Sequence, residues 1–434
     1  MTLQVEAEER HERRGIAMFR ALSHRNFRLF WAGAFLSNAG TWMQAVAQGW
    51  LVLKLTDSPF WLGFDAFMGT LPGLLLTLLG GVFADLVDRK RLLIYAQYIA
   101  GLSALVLAVL VATGVVKVWM VLVLSFVTGC SMALSGPSFQ AITFDLVGRE
   151  DLANAIALNS TQFQFSRVIG PTLAGVTIKF FGLAGCFFLN ALSYVAIVAA
   201  LSRVRMEKKA DGVEASPSAA AATTAMAHPV GDRRALWRDF VEGFRYVGGR
   251  PRVRLLLLAS ALVSFFGAPY LVMMPMFARE VFGWGEIGLS LMMGTAGAGA
   301  LVGALMLAYL GNFPRKALFM LGAAFAGGAC IIGFSLVGRP YVSLALLFGV
   351  GFSMVGFFAV ANMLLQQLVQ DEMRGRVMSM WIFAFIGTMP FGSFLAGVAA
   401  ERFGVQWAVA AGGFVIVAFV ALAGIGNRHL RELP

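Results

Sequence analysis

Charged residues are scarce in this 434-residue chain: Asp, Glu, Lys and Arg together make up only 13% of it. A soluble protein of this size carries roughly 25% charged residues and keeps much of its surface polar. The apolar fraction is 59% and the mean hydropathy is +0.77. These values exclude soluble, disordered, collagenous and disulfide-rich secreted proteins. The sequence therefore predicts an all-α polytopic membrane protein.

Further absences narrow the class of protein. The three cysteines lie inside apolar runs, so they do not suggest a disulfide framework. No G-x-x-x-x-G-K-[ST] phosphate loop is present, which argues against ATP-driven transport by this chain alone. No nucleophile–base pair or metal-ligand set is visible, and all four histidines lie outside the apolar windows. We therefore expect neither an enzyme nor a metal site, and no cofactor.

Twelve apolar windows are long enough to cross a bilayer, which requires about 20 helical residues. They are 28–53, 60–84, 92–113, 118–140, 156–178, 183–201, 254–277, 287–310, 316–337, 341–365, 377–399 and 405–426. The polar segments divide the chain into an N-terminal segment (1–27), a bundle (28–201), a linker (202–253), a second bundle (254–426) and a tail (427–434). Apolar residues at helical spacing predict an amphipathic helix in the second half of the linker.

The positions of the basic residues predict the orientation in the membrane. Of the 34 lysines and arginines, 27 fall in the termini and the even-numbered loops, and six fall in the odd-numbered loops. Because positive charge stays on the cytoplasmic side, both termini should be cytoplasmic. Residues 1–26 are polar and lack the apolar core of a signal peptide, which fits a multi-pass protein of the inner (plasma) membrane. The net charge of +11 is thus a topology signal, and we expect no nucleic-acid partner.

The two halves of the chain repeat in the same direction. When residues 145–182 are aligned with 367–404, 11 of the 38 positions are identical, including a Gly-Leu-Ala-Gly-Val pattern of matched spacing and a Phe-Gly pair. A parallel repeat six windows apart predicts two six-helix bundles related by a pseudo-twofold axis along the membrane normal, as in some secondary transporters.

At these motifs the chain resembles the major facilitator superfamily. The stretch GGVFADLVDRKR (80–91) is similar to the superfamily's signature after its second helix, although Leu86 and Asp88 depart from the usual Arg and Gly. The matching positions are Gly81, Asp85, Arg89 and Lys90. The resemblance implies a latch between the bundles in the outward-facing state, in which Asp85 accepts hydrogen bonds from the start of the eleventh window and from Arg374 or Arg376. Simple stop-transfer charge is the alternative.

A second motif resembles the superfamily's exporters. The stretch SRVIGPTLAG (166–175) carries Gly170, Pro171 and Gly175 of the exporters' helix-5 motif, and departs at Ser166 and Ala174. The segments 19–44, 80–91 and 371–381 look like the branch that contains the enterobactin exporter and the transmembrane secretion effectors. The resemblance implies export from the cytoplasm.

Two ionisable residues in the apolar windows are candidates for transport chemistry. Arg167 lies near the middle of its window, where an unpaired cation is costly, so it should face the bundle interior. It could contact an anionic substrate group or a coupling carboxylate, or it could be a tether to Gln162 or Gln164. Asp65 is the acidic residue that falls clearly within a window, near its outer end. It is a candidate proton carrier, or an ordinary hydrated residue near the outer surface.

The first window also carries four polar residues within an arc of about 120°, which suits the lining of a hydrated cavity. By resemblance, windows 1, 4, 7 and 10 line that cavity; interhelical hydrogen bonding is the alternative for each residue. The candidates are Asn38, Thr41, Gln44, Gln48, Ser264, Tyr270, Asn362 and Gln366.

The residues and the resemblance together predict a secondary active transporter that works by alternating access. The expected activity is proton-coupled export of amphipathic small molecules, either siderophore-like metabolites or drugs. Expected partners are the small-molecule substrate, membrane lipids and the proton gradient; the sequence leaves the oligomeric state open and is compatible with a monomer. The alternatives are a lipid or lysolipid translocator with the same fold and a non-transporting sensor or assembly factor.

Overall fold

The structure is a computed structural model that describes residues 19–86, 88–204, 242–311 and 313–426, with the backbone alone at 77–86, 89, 137 and 424–426. Across these ranges the chain is helical and contains no β-strand. The main helices are α1 (Arg25–Thr56), α2 (Pro59–Leu86), α3 (Arg89–Ala112), α4 (Val118–Arg203), α5 (Pro251–Gly267), α6 (Pro269–Met276), α7 (Gly285–Leu310), α8 (Lys316–Leu336), α9 (Pro340–Leu368), α10 (Asp371–Ile386), α11 (Met389–Phe403) and α12 (Val405–Gly426). We call α1–α4 the N-terminal half and α5–α12 the C-terminal half.

Nine helical stretches within the described residues are long and apolar enough to cross a membrane. One of them joins α5, α6 and the π-helical turn Phe277–Val281, and another joins α10 and α11. α1 is not among the nine, because Asn38, Gln44 and Gln48 lower the hydropathy of its 32-residue helix. The long apolar helices agree with the predicted membrane protein.

α4 is not one straight helix, although its helical residues run on for 86 positions. At 1.5 Å per residue this length is about 130 Å, several times the thickness of a bilayer core. Gly148 (φ 70°) and Gly182 (φ 67°) interrupt it in a backbone region that residues with a Cβ seldom adopt. The breaks divide α4 into segments 118–147, 149–181 and 183–203, and each contains one predicted window.

The glycines of the sequence repeat make matching contacts within each half. A Cβ at Gly170 would lie 2.4 Å from the Cβ of Trp42 on α1. A Cβ at the equivalent Gly392 would lie 2.0 Å from the carbonyl oxygen of Phe265 on α5. Each glycine therefore lets its helix approach the first helix of its own half closely.

The next pair of repeat glycines makes matching contacts between the halves. A Cβ at Gly175 of α4 would come within 3.1 Å of Ser290 on α7. A Cβ at Gly397 of α11 would come within 2.9 Å of the carbonyl oxygen of Pro59 on α2. The two halves thus meet along two seams, α4 with α7 and α2 with α11.

One end of the molecule is tightly closed across the halves; we call residues 57–65 and 393–401 the closed end. Arg279 pairs with Asp57, and the Ser58 hydroxyl donates to Glu401 Oε2 at 2.7 Å. Phenylalanines of α2 and α11 interdigitate beside these contacts, with ring centroids 5.6–5.9 Å apart. α10, by contrast, barely contacts α2. Among the residues whose side chains are described, the halves therefore meet closely at the closed end and much less at the α10 end.

The described part of the linker packs on α10. Residues 242–248 form a short helix, whereas 205–241 lie outside the described residues. Glu242 Oε2 lies 3.1 Å from Nη1 of Arg376, and the Tyr246 hydroxyl accepts the backbone N–H of Gln370 at 3.3 Å. Val247 is buried. This segment accordingly stays with the C-terminal half.

Candidate functional site

Asp65 lies at the junction of α1, α2 and the first segment of α4. Gln48 Nε2 donates to Asp65 Oδ2 at 2.8 Å, and the Ser125 hydroxyl donates to Oδ1 at 2.5 Å. Gln48 also donates to Ser125 Oγ at 2.9 Å, which closes a triangle of polar side chains. Both partners are neutral, and no cation pairs with Asp65 in the described part of the chain.

This triangle can satisfy Asp65 with or without a proton. When Asp65 is ionised, its two oxygens accept hydrogen bonds from Gln48 and Ser125. When Oδ1 carries a proton, it can donate to Ser125 Oγ, whose own hydrogen can turn toward the carbonyl oxygen of Val121, 2.9 Å away. Rotation of one hydroxyl therefore exchanges the two hydrogen-bond patterns, and neither leaves a buried donor unpaired.

The Asp65 triangle continues into a chain of polar side chains along α1. Gln44 Nε2 donates to Gln48 Oε1 at 3.3 Å, and Asn190 Nδ2 donates to Gln44 Oε1 at 2.6 Å. Asn190 contacts Tyr194, whose hydroxyl lies 3.2 Å from Thr41 Oγ1. Three predicted cavity residues, Thr41, Gln44 and Gln48, thus belong to one hydrogen-bonded network inside the N-terminal half.

Arg167 is a partly exposed cation in the 149–181 segment of α4, with few partners. Its Nη1 donates to Gln164 Oε1 at 3.4 Å, and its Cζ lies 5.1 Å from the centroid of the Trp42 indole. Its Nε is buried and has no hydrogen-bond partner in the described structure. Gln162, the other predicted tether, instead neighbours Ser166 at 3.5 Å.

Arg167 also lies at the seam between the two halves. A Cβ at Gly297 of α7 would lie 2.4 Å from the backbone carbonyl oxygen of Arg167, so the two helices touch there. Tyr270, a buried residue of α6 in the other half, lies within electrostatic range of the guanidinium. The predicted residues Arg167 and Tyr270 are therefore near one another across the seam, with no hydrogen bond between them among the described residues.

The remaining predicted cavity residues lie elsewhere. Ser264 is buried and donates to the carbonyl oxygen of Phe385 at 2.5 Å, so it joins α5 to α10 rather than lining an open space. Gln366 is exposed and donates to Asn362 Oδ1 at 2.5 Å along α9. Asn38 is partly buried on α1. The structure does not bring these residues into the hydrogen-bond chain around Asp65.

The predicted gating residues are described only in part. Gly81, Asp85 and Arg89 are described by their backbone alone. Lys90 Nζ donates to the carbonyl oxygen of Val204 at 2.8 Å, which ties α3 to the end of α4. Arg374 pairs with Asp371 on its own helix, and Arg376 pairs with Glu242.

The departure from the signature at Asp88 has a local structural role. Its carboxylate accepts the backbone N–H groups of Lys90 at 2.9 Å and Arg91 at 3.2 Å. Asp88 is therefore the N-cap of α3, a position where a carboxylate satisfies free N–H groups and interacts well with the helix dipole.

Several residues of the site were missed from the sequence: Ser125, Asn190, Tyr194, Trp42 and Phe163. Ser125 is one of many serines in apolar windows, and nothing in its spacing distinguishes it. Phe163, however, precedes Arg167 by four residues, so the two share a helix face. That spacing could have linked an aromatic side chain to the cation.

The helical architecture matches solved transporter structures. A bacterial homologue of the human lysosomal transporter Spinster superposes with a TM-score of 0.67, at 15% identity over 92% of this chain and 94% of that one. The nucleoside transporter NupG superposes with a TM-score of 0.65, at 13% identity over 93% of this chain and all of that one. At these identities the comparison shows the fold alone.

The sequence comparison gives the family. Residues 16–432 match the transmembrane secretion effectors of the major facilitator superfamily, and the chain belongs to this family of transporters. Macrolide efflux protein A of Streptococcus pyogenes is 23% identical over 90% of this chain and 93% of its own length. The staphyloferrin A transporter of Staphylococcus aureus is 24% identical (93% and 96%), and the enterobactin exporter of Escherichia coli is 21% identical (95% and 95%).

The family membership confirms the predicted superfamily and branch. It makes the chain a membrane-embedded transporter with a small-molecule substrate, and not an enzyme.

Proposed function

We propose that this protein is a proton-coupled exporter of amphipathic small molecules that works by alternating access. The observation that carries the coupling is the surroundings of Asp65, whose hydrogen-bond partners in the described structure, Gln48 and Ser125, are both neutral. A proton carrier must alternate between a charged and a neutral form. A carboxylate held by an arginine would resist that change, whereas the Asp65 triangle accommodates both forms.

The chain crosses the membrane twelve times in two six-helix bundles. α1 and the three segments of α4 add to the other apolar helices to give this number, and the matching contacts of the repeat glycines support a pseudo-twofold axis between the halves. Both bundles would rock about the seams of α4 with α7 and α2 with α11.

The closed end faces outward and the opposite end faces the cytoplasm of the cell, across the inner (plasma) membrane. This orientation follows from the excess of basic residues in the termini and the even-numbered loops. The structure then represents an inward-facing state, in which cargo reaches Arg167 from the cytoplasm. In the outward-facing state, the motif of Gly81, Asp85, Arg89 and Lys90 would engage the α10 end, where Arg374 and Arg376 lie.

Export of siderophore-like metabolites or drugs is supported by the relatives, which include a macrolide efflux protein, a staphyloferrin A transporter and an enterobactin exporter. Their combined coverage of nearly the whole chain makes a common transport cycle the simplest reading. These relatives are only 21–24% identical to this chain, so the side chains that determine which cargo is bound would differ among them.

The proposal is tested by comparing small molecules in cells and medium, using mass spectrometry, between a deletion strain and an overproducing strain. We expect at least one compound to be retained by the deletion strain and enriched in the medium on overproduction. Asp65→Asn should abolish this enrichment, because the amide cannot release a proton, while Asp65→Glu should preserve part of it. Glu286→Gln, which removes a carboxylate at the start of α7, serves as the control.

Two results would contradict the proposal. Unchanged export by Asp65→Asn would remove the coupling role of this residue. The absence of any exported compound, together with transport of fluorescent phospholipid in proteoliposomes, would favour the lipid translocator instead.

A further inference from the structure

Arg167 has more hydrogen-bonding capacity than the described protein uses. A guanidinium carries five N–H groups, and within the described structure Arg167 makes a single long hydrogen bond, 3.4 Å to Gln164. Its Nε is buried and has no hydrogen-bond partner among the described residues. No carboxylate of the described chain pairs with it. A cation inside the membrane is costly unless it is paired or hydrated, so the unused donors need an acceptor.

The surroundings of the guanidinium are flat and aromatic. Trp42 lies under it, with 5.1 Å between Cζ and the indole centroid. Phe163, one helical turn before Arg167, meets Trp42 at a centroid distance of 6.2 Å, and 45% of its surface is exposed. The site therefore offers an exposed ring beside an under-used fork of donors, and Tyr270 approaches from the other half.

We propose that Arg167, Trp42 and Phe163 form a binding site for a planar aromatic anion, such as an aryl carboxylate, and that this is the cargo class of the transporter. The anionic oxygens accept hydrogen bonds from the guanidinium in a bidentate pair, and the ring packs against Phe163 and Trp42. A cationic ligand is excluded by the unpaired positive charge. The inference rests on the proposed transport function, because it names the cargo of that same pathway.

The position of Arg167 at the seam gives the anion a place in the transport cycle. The carbonyl oxygen of Arg167 contacts Gly297, and Tyr270 belongs to the C-terminal half. When the halves rock about this seam, the position of α6 relative to Arg167 changes, so a bound anion meets a different set of partners in each state. That difference is what allows a ligand to shift the equilibrium between conformations.

The test uses purified full-length protein in nanodiscs and three probes that share one ring system. They are 2-naphthoate, the neutral 2-naphthamide and the cationic 2-naphthylmethylammonium, and binding is measured by calorimetry. We expect 2-naphthoate to bind at least tenfold more tightly than the other two. Arg167→Gln should remove this preference, and elution of the variant as a single species in size-exclusion chromatography shows that it is folded.

The matched control is Lys179→Gln. Lys179 lies on the same segment of α4 and its Nζ is 5.8 Å from the centroid of Phe180, so the substitution removes a cation that also neighbours an aromatic ring. It should not change the affinity for any probe. Arg167→Lys keeps the positive charge but loses the paired N–H donors of the guanidinium, and we expect it to retain an intermediate affinity for 2-naphthoate.

Equal binding of the three probes, tighter binding of the cation, 2-naphthoate binding that survives Arg167→Gln, or no binding of any probe to the wild type would each overturn this inference. Its failure is distinguishable from failure of the proposed function. Gradient-driven export of a neutral or cationic compound without 2-naphthoate binding would leave the exporter in place. Selective 2-naphthoate binding without export of any compound would support the binding site and contradict the proposed export function.

Discussion

Single hydrogen bonds determine what Asp65 can do. A carboxylate within a bilayer usually needs a cation, but this one has an amide and a hydroxyl instead. The Ser125 hydroxyl is the adaptable partner, because it can donate to Asp65 or accept from it, whereas Gln48 can only donate through Nε2. Ser125 therefore has a positioning role that follows from its ability to reverse the direction of one hydrogen bond.

Ser125→Ala should impair the release of the proton more than the binding of cargo. Without the hydroxyl, ionised Asp65 keeps one donor of two, and a hydrogen bond to a charged group contributes about 1.5–3 kcal/mol. We expect efflux driven by a pH gradient in proteoliposomes to fall about tenfold or more. Exchange of cargo across the membrane, which needs no net proton movement, should stay near the wild-type rate.

Ser103→Ala is the control for this prediction, because Ser103 is also a buried serine whose hydroxyl, among the described residues, bonds to the backbone oxygen of Ile99 alone. Equal losses of driven efflux and of exchange in Ser125→Ala would show that the hydroxyl supports the fold or the cargo site and not the coupling.

The sequence identified the unusual residues of the site but not their neighbours. Asp65 and Arg167 stand out because ionisable residues in apolar windows are rare. Ser125 and Asn190 do not stand out, since a serine or an asparagine in such a window is common and its partner depends on how α1, α2 and α4 pack. Ser264 illustrates the limit: the family resemblance placed it on the cavity wall, yet it bonds to the Phe385 carbonyl oxygen.

At the scale of helices, hydropathy predicted the positions of the membrane-spanning helices well and the breaks within them less well. The windows 60–84 and 341–365 lie within α2 and α9, which begin at Pro59 and Pro340 because the first helical turn tolerates a missing N–H. α6 begins at Pro269, and the π-helical turn Phe277–Val281 follows it, so the seventh window is broken in two. Such breaks depend on local backbone geometry, to which a hydropathy window is insensitive.

The contact of α2 with α11 should control the closed end. A Cβ at Gly63 would lie 2.6 Å from the backbone oxygen of Ser393 and 3.0 Å from the Cα of Gly397, and neither atom can rotate away. Overpacking of this kind costs about 1–3 kcal/mol, enough to lower the population of the closed arrangement roughly tenfold. We expect Gly63→Leu to fold, to favour an open outer end and to transport at about a tenth of the normal rate.

Lys54 and Arg402 are both exposed near the closed end. Spin labels at Lys54→Cys and Arg402→Cys measure the population of the closed arrangement through their distance distribution in double electron–electron resonance. Gly73→Leu on the same helix is the control, because a Cβ there would meet no heavy atom within 4 Å. A distance distribution that Gly63→Leu leaves unchanged would mean that the α2–α11 contact yields locally, and that the closed end depends on other contacts.

On the scale of the whole molecule, the distribution of basic residues and the breaks in α4 both bear on how the chain crosses the membrane. The basic residues predict which side of the membrane each loop occupies, and the positive-φ glycines show where α4 turns back. Together they require successive ends of the three α4 segments to alternate between the two sides of the membrane. One extra or missing membrane crossing would place every later loop on the wrong side of the membrane, so the accessibility of a few loops tests the whole arrangement.

Single cysteines test this alternation in a chain whose Cys130, Cys186 and Cys330 are replaced by Ala. We expect Lys117→Cys, before α4, and Lys179→Cys, just before the Gly182 break, to react with an impermeant maleimide in intact cells. Glu150→Cys, just after the Gly148 break and with its side chain 85% exposed, should react only after permeabilisation. The permeabilised sample is the control for reactivity at all three positions.

The outcomes separate the orientation from the crossing number. If Glu150→Cys alone reacted in intact cells, α4 would still cross three times, but the protein would be inverted and the closed end would face the cytoplasm. The proposed direction of transport would then fail while the rocking-bundle arrangement survived. If Lys117→Cys and Lys179→Cys reacted from different sides, α4 would not cross three times, and the parallel repeat could not relate two six-helix bundles.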